Sequence, residues 1–207
     1  MTHPTPPRKA TALPIHSAAK TAVLTAAVLL GASGTASALD ATPTTGRPAA
    51  ASAKHTADVR IDESAPVVTR TEILIHAPLH TIWAIQTDVE NWPAWQPNVE
   101  SVRKDTPGSL RPGSAFRWST EGLDITSTVR QVEPGRRLVW GGPAQGITAV
   151  HVWTFTPTRD GVLVHTEESW SGEPVTADRE FLQAALDNSL HNWVANLKRQ
   201  AEAQSAH

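Results

Sequence analysis

The 207-residue chain has no cysteine and no tyrosine, one methionine and only three phenylalanines. Without cysteine there is no disulfide staple, no lipidated anchor and no Cys–His metal spacing, so packing alone must hold the fold. Acidic residues are missing from the first 38 positions. No Ser–His–Asp order and no Gly-rich phosphate loop is present, which sets hydrolase and nucleotide readings aside. No internal repeat is found.

What is present begins with that acid-free stretch. Arg8, Lys9 and Lys20 precede the apolar run Thr21 to Ala32, and Ala36-Ser37-Ala38 follows. A basic region, an apolar run too short to span a bilayer comfortably and a small-x-small site make a secretory signal peptide over 1–38, with cleavage expected after Ala38. A disordered Ala-rich tail or an uncleaved anchor is the plain alternative. Arg8-Lys9 is not a twin-arginine pair, so the general export route is expected. Residues 39–65, rich in Ala, Thr, Pro and Ser without apolar periodicity, read as a disordered linker. One folded domain, 66–206, remains. Losing the three basic residues takes the formal charge from −2 to −5, which argues against nucleic acid and anionic membrane surfaces as partners. The mature protein is expected to have no membrane span, to be a monomer and to take a small apolar molecule as its partner.

Periodicity predicts a strand over Val67–Ile75, a helix from Pro78 to about Val89 and a corner over Trp92–Pro97. Strands follow near 98–104, 114–120, 123–132, 137–141, 147–156 and 162–170, separated by Pro-Gly, Gly-Gly-Pro and Asp-Gly turns. A long helix, about 177–204, closes the chain, with Leu182, Leu186, Leu190, Trp193 and Leu197 on one stripe. This is an α+β layout in which a curved antiparallel sheet grips a helix.

Strand alternation places Phe116 with Trp118, Ile125 with Ser127 and Val129, Leu138 with Trp140, and His151 with Trp153 and Phe155 on the inner face. Val164, Thr166, Glu168 and Trp170 join them. Pairing Phe155 with Val162 would set His151 against Thr166, with Glu168 diagonal to it. Trp83, Trp92 and Trp95 come from the helix and the corner, and Leu182, Leu186, Leu190 and Trp193 form the roof. These residues either pack solid or line a ligand pocket; taken singly, each inward Trp or Phe is ordinary core. The outward set includes Arg117, Thr126, Arg130, Val139, Val152, His165 and Glu167. His151 and Glu168 are the inward pair able to do acid–base work, against the plainer reading of a polar pair that orients a ligand or satisfies itself. His76 and His80 flank Pro78 and share no helical face, so no metal is expected there. Asp88 reads as a turn cap. Residues 141–146 read either as a lid or as a plain strand connection.

Several motifs, in order, resemble one family. They are Ala77-Pro78, Ile82-Trp83, Asp88, Trp92-Pro93-Ala94-Trp95, Pro97, Gly113 to Trp118, Leu138 to Gly141, His151 to Phe155 and Gly161 to Glu168. The chain resembles, over about 67–205, the SRPBCC or START-like superfamily, and within it the bacterial polyketide cyclase/dehydrase and lipid-transport group. The resemblance implies a helix-grip fold, a seven-stranded antiparallel sheet around a long C-terminal helix with a hydrophobic cavity between them. It also implies binding of lipids, sterols, hormones or polyketides, with enzymes among the members. It carries over pocket-lining positions and no catalytic signature.

Binding and transport of a hydrophobic small molecule outside the cytoplasm, without a cofactor, is the favoured function. The rival is a polyketide cyclase, aromatase or dehydratase using His151 and Glu168. A third reading is a filled module that acts through its surface.

Overall fold

A computed structural model describes residues 58–206. The expected signal peptide and the linker up to residue 57 lie outside the described residues. β1 (Val67–Ile75) leads into α1 (Leu79–Thr87) and a 3-10 turn (Val89–Ala94). Six strands follow: β2 (Val99–Lys104), β3 (Ala115–Thr120), β4 (Leu123–Glu133), β5 (Arg137–Ala144), β6 (Ile147–Thr158) and β7 (Gly161–Ser171). The short α2 (Glu173–Ala177) and the long α3 (Arg179–Ser205) end the chain. The seven strands form one antiparallel sheet in the order β1-β7-β6-β5-β4-β3-β2. The first two strands thus lie on opposite edges, and α1 with its 3-10 turn crosses between them on the face that α3 also covers. Among the described residues no helix is long and apolar enough to cross a membrane.

Most element bounds follow the periodicity, and the departures have local causes. The first helix stops at Thr87, where Asp88 turns the backbone into the 3-10 segment. Asp88 does this through its carbonyl, which accepts from Asn91 N–H at 3.0 Å, and its side chain makes no cap bond, contrary to the expected role. A separate helical turn, α2, precedes the long helix because Pro174 suits a first turn, and the break falls at Asp178. Residues 141–146 form no lid. β5 runs on to Ala144, and Gln145 and Gly146, with φ of 48° and 85°, make a two-residue hairpin turn. Gly141 and Gly142 belong to that strand for a steric reason. A Cβ at these positions would fall 2.2 Å from the Ala149 carbonyl oxygen and 2.1 Å from that of Thr126, so only glycine lets β4 and β6 close on β5.

The linker expectation fails over its last eight residues. Ile61 is buried with Val139 and Val152 on the outer face of the sheet, and Val59, Val68 and Val150 pack against them. Val59 N–H donates to Gln131 Oε1 at 2.9 Å and Asp62 N–H to Ser169 Oγ at 3.0 Å. Arg137 Nη2 donates to the Val59 carbonyl. The outward valines of β5 and β6 leave an apolar strip, and the Val59-x-Ile61 alternation covers it. A bulge between Val129 and Gln131 serves the same strap, putting Gln131 on the outer side while Val132 returns to the core.

Candidate functional site

The β6–β7 hairpin fixes the centre of the interior. Its turn has two residues, Arg159 and Asp160, because Thr158 pairs with Gly161. The register is therefore two residues away from the expected one: Phe155 faces Val164, Trp153 faces Thr166 and His151 faces Glu168 directly. A shift of two leaves every side chain on its expected face, which is why the inward set survives the error.

His151 and Glu168 form a closed hydrogen-bond chain. His151 Nδ1 lies 3.1 Å from Glu168 Oε2, and His151 Nε2 lies 2.8 Å from Thr166 Oγ1. Thr166 Oγ1 donates to the Val152 carbonyl at 3.1 Å, and Trp170 Nε1 donates to Glu168 Oε1 at 2.7 Å. The carbonyl takes the threonine proton, so Thr166 Oγ1 must accept from His151 Nε2–H. Nδ1 is then the lone-pair nitrogen, and one proton, held by the Glu168 carboxyl, lies between it and Oε2. Burial pushes the Glu168 carboxyl up to about 7, with the Trp170 indole opposing the shift, and pushes the His151 imidazole down to about 3. A neutral acid facing a neutral base suits proton transfer, but both imidazole nitrogens and both carboxyl oxygens already have partners.

Rings surround this pair. Trp92, wholly buried, meets Phe116, Trp118, Trp140 and Trp193 at centroid distances of 4.9 to 5.9 Å, three of the four edge-on. Trp140, Trp153 and Phe155 run nearly parallel along the sheet, with interplanar angles of 24° and 20°. His151 lies 4.8 Å from Trp140 and 5.1 Å from Trp153 by centroids. Rings in mutual contact thus run from the sheet to Trp193 on α3. Trp95 meets Trp193 edge-on at 6.4 Å, and the half-buried Trp83 meets Phe155 at 5.3 Å.

The expected lining divides into two clusters. Trp83, Trp92, Trp95, Phe116, Trp118, Val129, Trp140, Trp153, Val164 and Trp193 share one. Trp170, Leu182, Leu186 and Leu190 belong to another, with Val67 and Val175. The cause is length: at 1.5 Å per residue Leu182 and Trp193 stand about 16 Å apart along α3 and do not roof one compartment. Ile125 is half-buried opposite Trp118 and lies outside both clusters. Ser127, buried, accepts from Trp118 Nε1 at 3.1 Å.

Gln86 is the interior residue that sequence reasoning did not single out as a site. Wholly buried on α1, it accepts from Trp193 Nε1 at 3.2 Å through Oε1, and its carbonyl accepts from Trp92 Nε1 at 3.1 Å. An amide on the helix face with Leu79, Ile82 and Trp83 was the available signal. Its Nε2 has no partner, and neither has Trp153 Nε1. A buried donor left unpaired costs about 1–3 kcal/mol. Among the described residues no group of three or more His, Asp or Glu could hold a metal ion.

The model of the family described as "Polyketide cyclase / dehydrase and lipid transport" matches residues 66–202. Similar solved structures include a hypothetical protein from Helicobacter pylori, 19% identical with a TM-score of 0.61, the match covering 70% of this chain and 98% of that one. A START superfamily protein from Mycobacterium smegmatis is 14% identical with a TM-score of 0.56, covering 66% and 98%. The di-domain ARO/CYC StfQ from the steffimycin biosynthetic pathway is 18% identical with a TM-score of 0.57, covering 68% of this chain and 52% of that one. At such identities the likeness is one of fold, the helix-grip arrangement of sheet and terminal helix. With the family model matched along the whole of the sheet and most of α3, the chain belongs to the polyketide cyclase/dehydrase and lipid-transport family.

Proposed function

We propose that the domain binds and carries a hydrophobic small molecule within its aromatic interior, and that it does so outside the cytoplasm once residues 1–38 are removed. The observation that carries this reading is the contiguous set of tryptophan rings between the sheet and α3, where the N–H donors of Gln86, Trp95 and Trp153 are kept from water and unpaired. Buried polar groups in a stable core are paired in the large majority, so these donors call for an explanation. Entry requires rings to turn, and Trp83 and Trp118 are the half-buried rings at the margin. Burying about 300 Å² of apolar ligand surface gives a gross gain of about 7 kcal/mol before association costs, which makes micromolar affinity the upper limit. Export rests on the order of basic, apolar and small residues in 1–38.

A second reading, cyclisation or dehydration of a polyketide-like substrate, draws on the neutral Glu168 carboxyl beside the His151 lone pair. It ranks lower because Thr166 and Trp170 already occupy the outer atoms of the pair. Tryptophan fluorescence, titrated with fatty acids, sterols and aromatic polyketides in detergent-free buffer, tests binding. Saturable change at micromolar concentration is expected for at least one class. A flat response to all three would overturn the reading.

A further inference from the structure

Four buried side-chain N–H donors among the described residues have no partner: those of Gln86, Trp95, Arg137 and Trp153. Arg137 Nε belongs to a guanidinium that bonds Val59 and Thr154 through its other nitrogens, as part of the strap contact. Trp95 borders a surface depression with Asn196 and Arg199. Gln86 and Trp153 differ from these in being wholly buried, and both flank Trp193, as Trp95 also does.

The orientation of the Gln86 amide is not arbitrary. Trp193 Nε1 can only donate, so the atom facing it is Oε1, and Nε2 must point elsewhere. Trp153 is held by its near-parallel neighbours Trp140 and Phe155. Both unpaired groups are donors, and both are uncharged. His151 and Glu168, the groups expected to anchor a ligand, have no free position.

We propose, resting on the reading of the interior as a hydrophobic binding site, that the ligand is an uncharged molecule recognised through an oxygen acceptor, a carbonyl, by the N–H groups of Trp153 and Gln86. A carboxylate is excluded by the same surroundings, since no cation stands among these rings to balance it and the Glu168 carboxyl is close by through His151. A ligand whose only polar group is a donor leaves both N–H groups unpaired.

The test uses 9-fluorenone and fluorene, near-isosteric probes that differ by a carbonyl oxygen. Binding of each to the full chain is measured by calorimetry, and the indole N–H resonance of Trp153 is followed by NMR, assigned through Trp153→Phe. The expectation is that fluorenone binds about tenfold more tightly than fluorene, as one or two modest hydrogen bonds allow. The Trp153 resonance should move with fluorenone only, and in Trp153→Phe the affinity ratio should fall toward one. Equal affinities in the wild type with an unmoved resonance would overturn the carbonyl proposal and leave hydrophobic binding standing. Failure of both probes to bind would overturn the carbonyl proposal, and the titration with fatty acids, sterols and aromatic polyketides then decides hydrophobic binding by itself. The wild-type resonance and affinity ratio decide the matter even if Trp153→Phe does not fold.

Discussion

The two ends of the interior are built from different materials. Beside α1 the core is aromatic, with Trp92, Trp140, Trp153 and Trp193 in contact, and it holds unpaired N–H groups. Beside α2 it is aliphatic, with Val67, Val175, Leu186 and Leu190 closed on one another, and it holds none among the described residues. One helix serves both, and the His151–Glu168 pair lies against each, through Trp153 on one side and Trp170 on the other. The aliphatic end has what close packing requires. Aromatic packing with three unpaired donors, those of Gln86, Trp95 and Trp153, is less stable than full pairing would be, and the proposed binding function would account for that cost.

The largest effect should come from the aliphatic end. Leu186→Ala, at a wholly buried position, should cost about 3 kcal/mol in urea denaturation and leave the affinity of any interior ligand within about twofold. An equal loss of affinity would erase the distinction between the two ends. Next is the polar pair. Glu168→Leu strands His151 Nδ1 and Trp170 Nε1 and should cost about 2 kcal/mol, part of it recovered when His151→Leu is added. A double-mutant cycle with no coupling would contradict the closed chain.

The same pair predicts a pH profile. Between 4.5 and 6.5 the unfolded chain holds one proton on the pair as imidazolium, and the folded protein holds one as the Glu168 acid, so stability is flat. Below 4.5 the unfolded carboxyl takes a second proton while folded His151 stays neutral to about 3, so stability falls as pH drops through that window. Above 6.5 the unfolded imidazole is bare while folded Glu168 keeps its proton to about 7, so stability falls again as pH rises. In Glu168→Gln the high-pH decline should vanish, and loss should begin at 6.5 on acidification. Denaturation curves across pH would check both limbs.

Smaller effects follow at the margins. Ile61→Ala should cost about 2 kcal/mol, since the strap seals the apolar strip of Val139 and Val152. No change would make 58–65 dispensable. Trp153→Phe should alter stability by less than about 1 kcal/mol, because lost ring area is offset by removal of an unpaired donor. A loss as large as that of Leu186→Ala would mean that Trp153 is ordinary core.

Much of this was legible in the sequence. The two-residue alternation on β6 and β7 put His151, Trp153, Phe155, Thr166 and Glu168 on one face, and that face is the inner one. Their register was not legible, because Asp160-Gly161 marks a turn without stating how many residues it spans; Thr158 pairing with Gly161 decides it. The strap was missed because Val59 and Ile61 sit in a polar stretch too short for periodicity to register. Outward Val139 and Val152 on adjacent strands were the sign that something covers them. Gln86 falls on the helix face of Leu79, Ile82 and Trp83 but was not singled out as a site, because its partners Trp92 and Trp193 come to it only when α1 lies over them.

The central claim, that the aromatic end takes a hydrophobic ligand, is tested most directly by native mass spectrometry. The protein would be purified without detergent, before and after exposure to fatty acids, sterols and aromatic ketones. The account predicts a reproducible adduct that disappears on denaturation and is retained in Leu186→Ala. Bare protein under every condition would contradict it and leave the tryptophan cluster as a filled core.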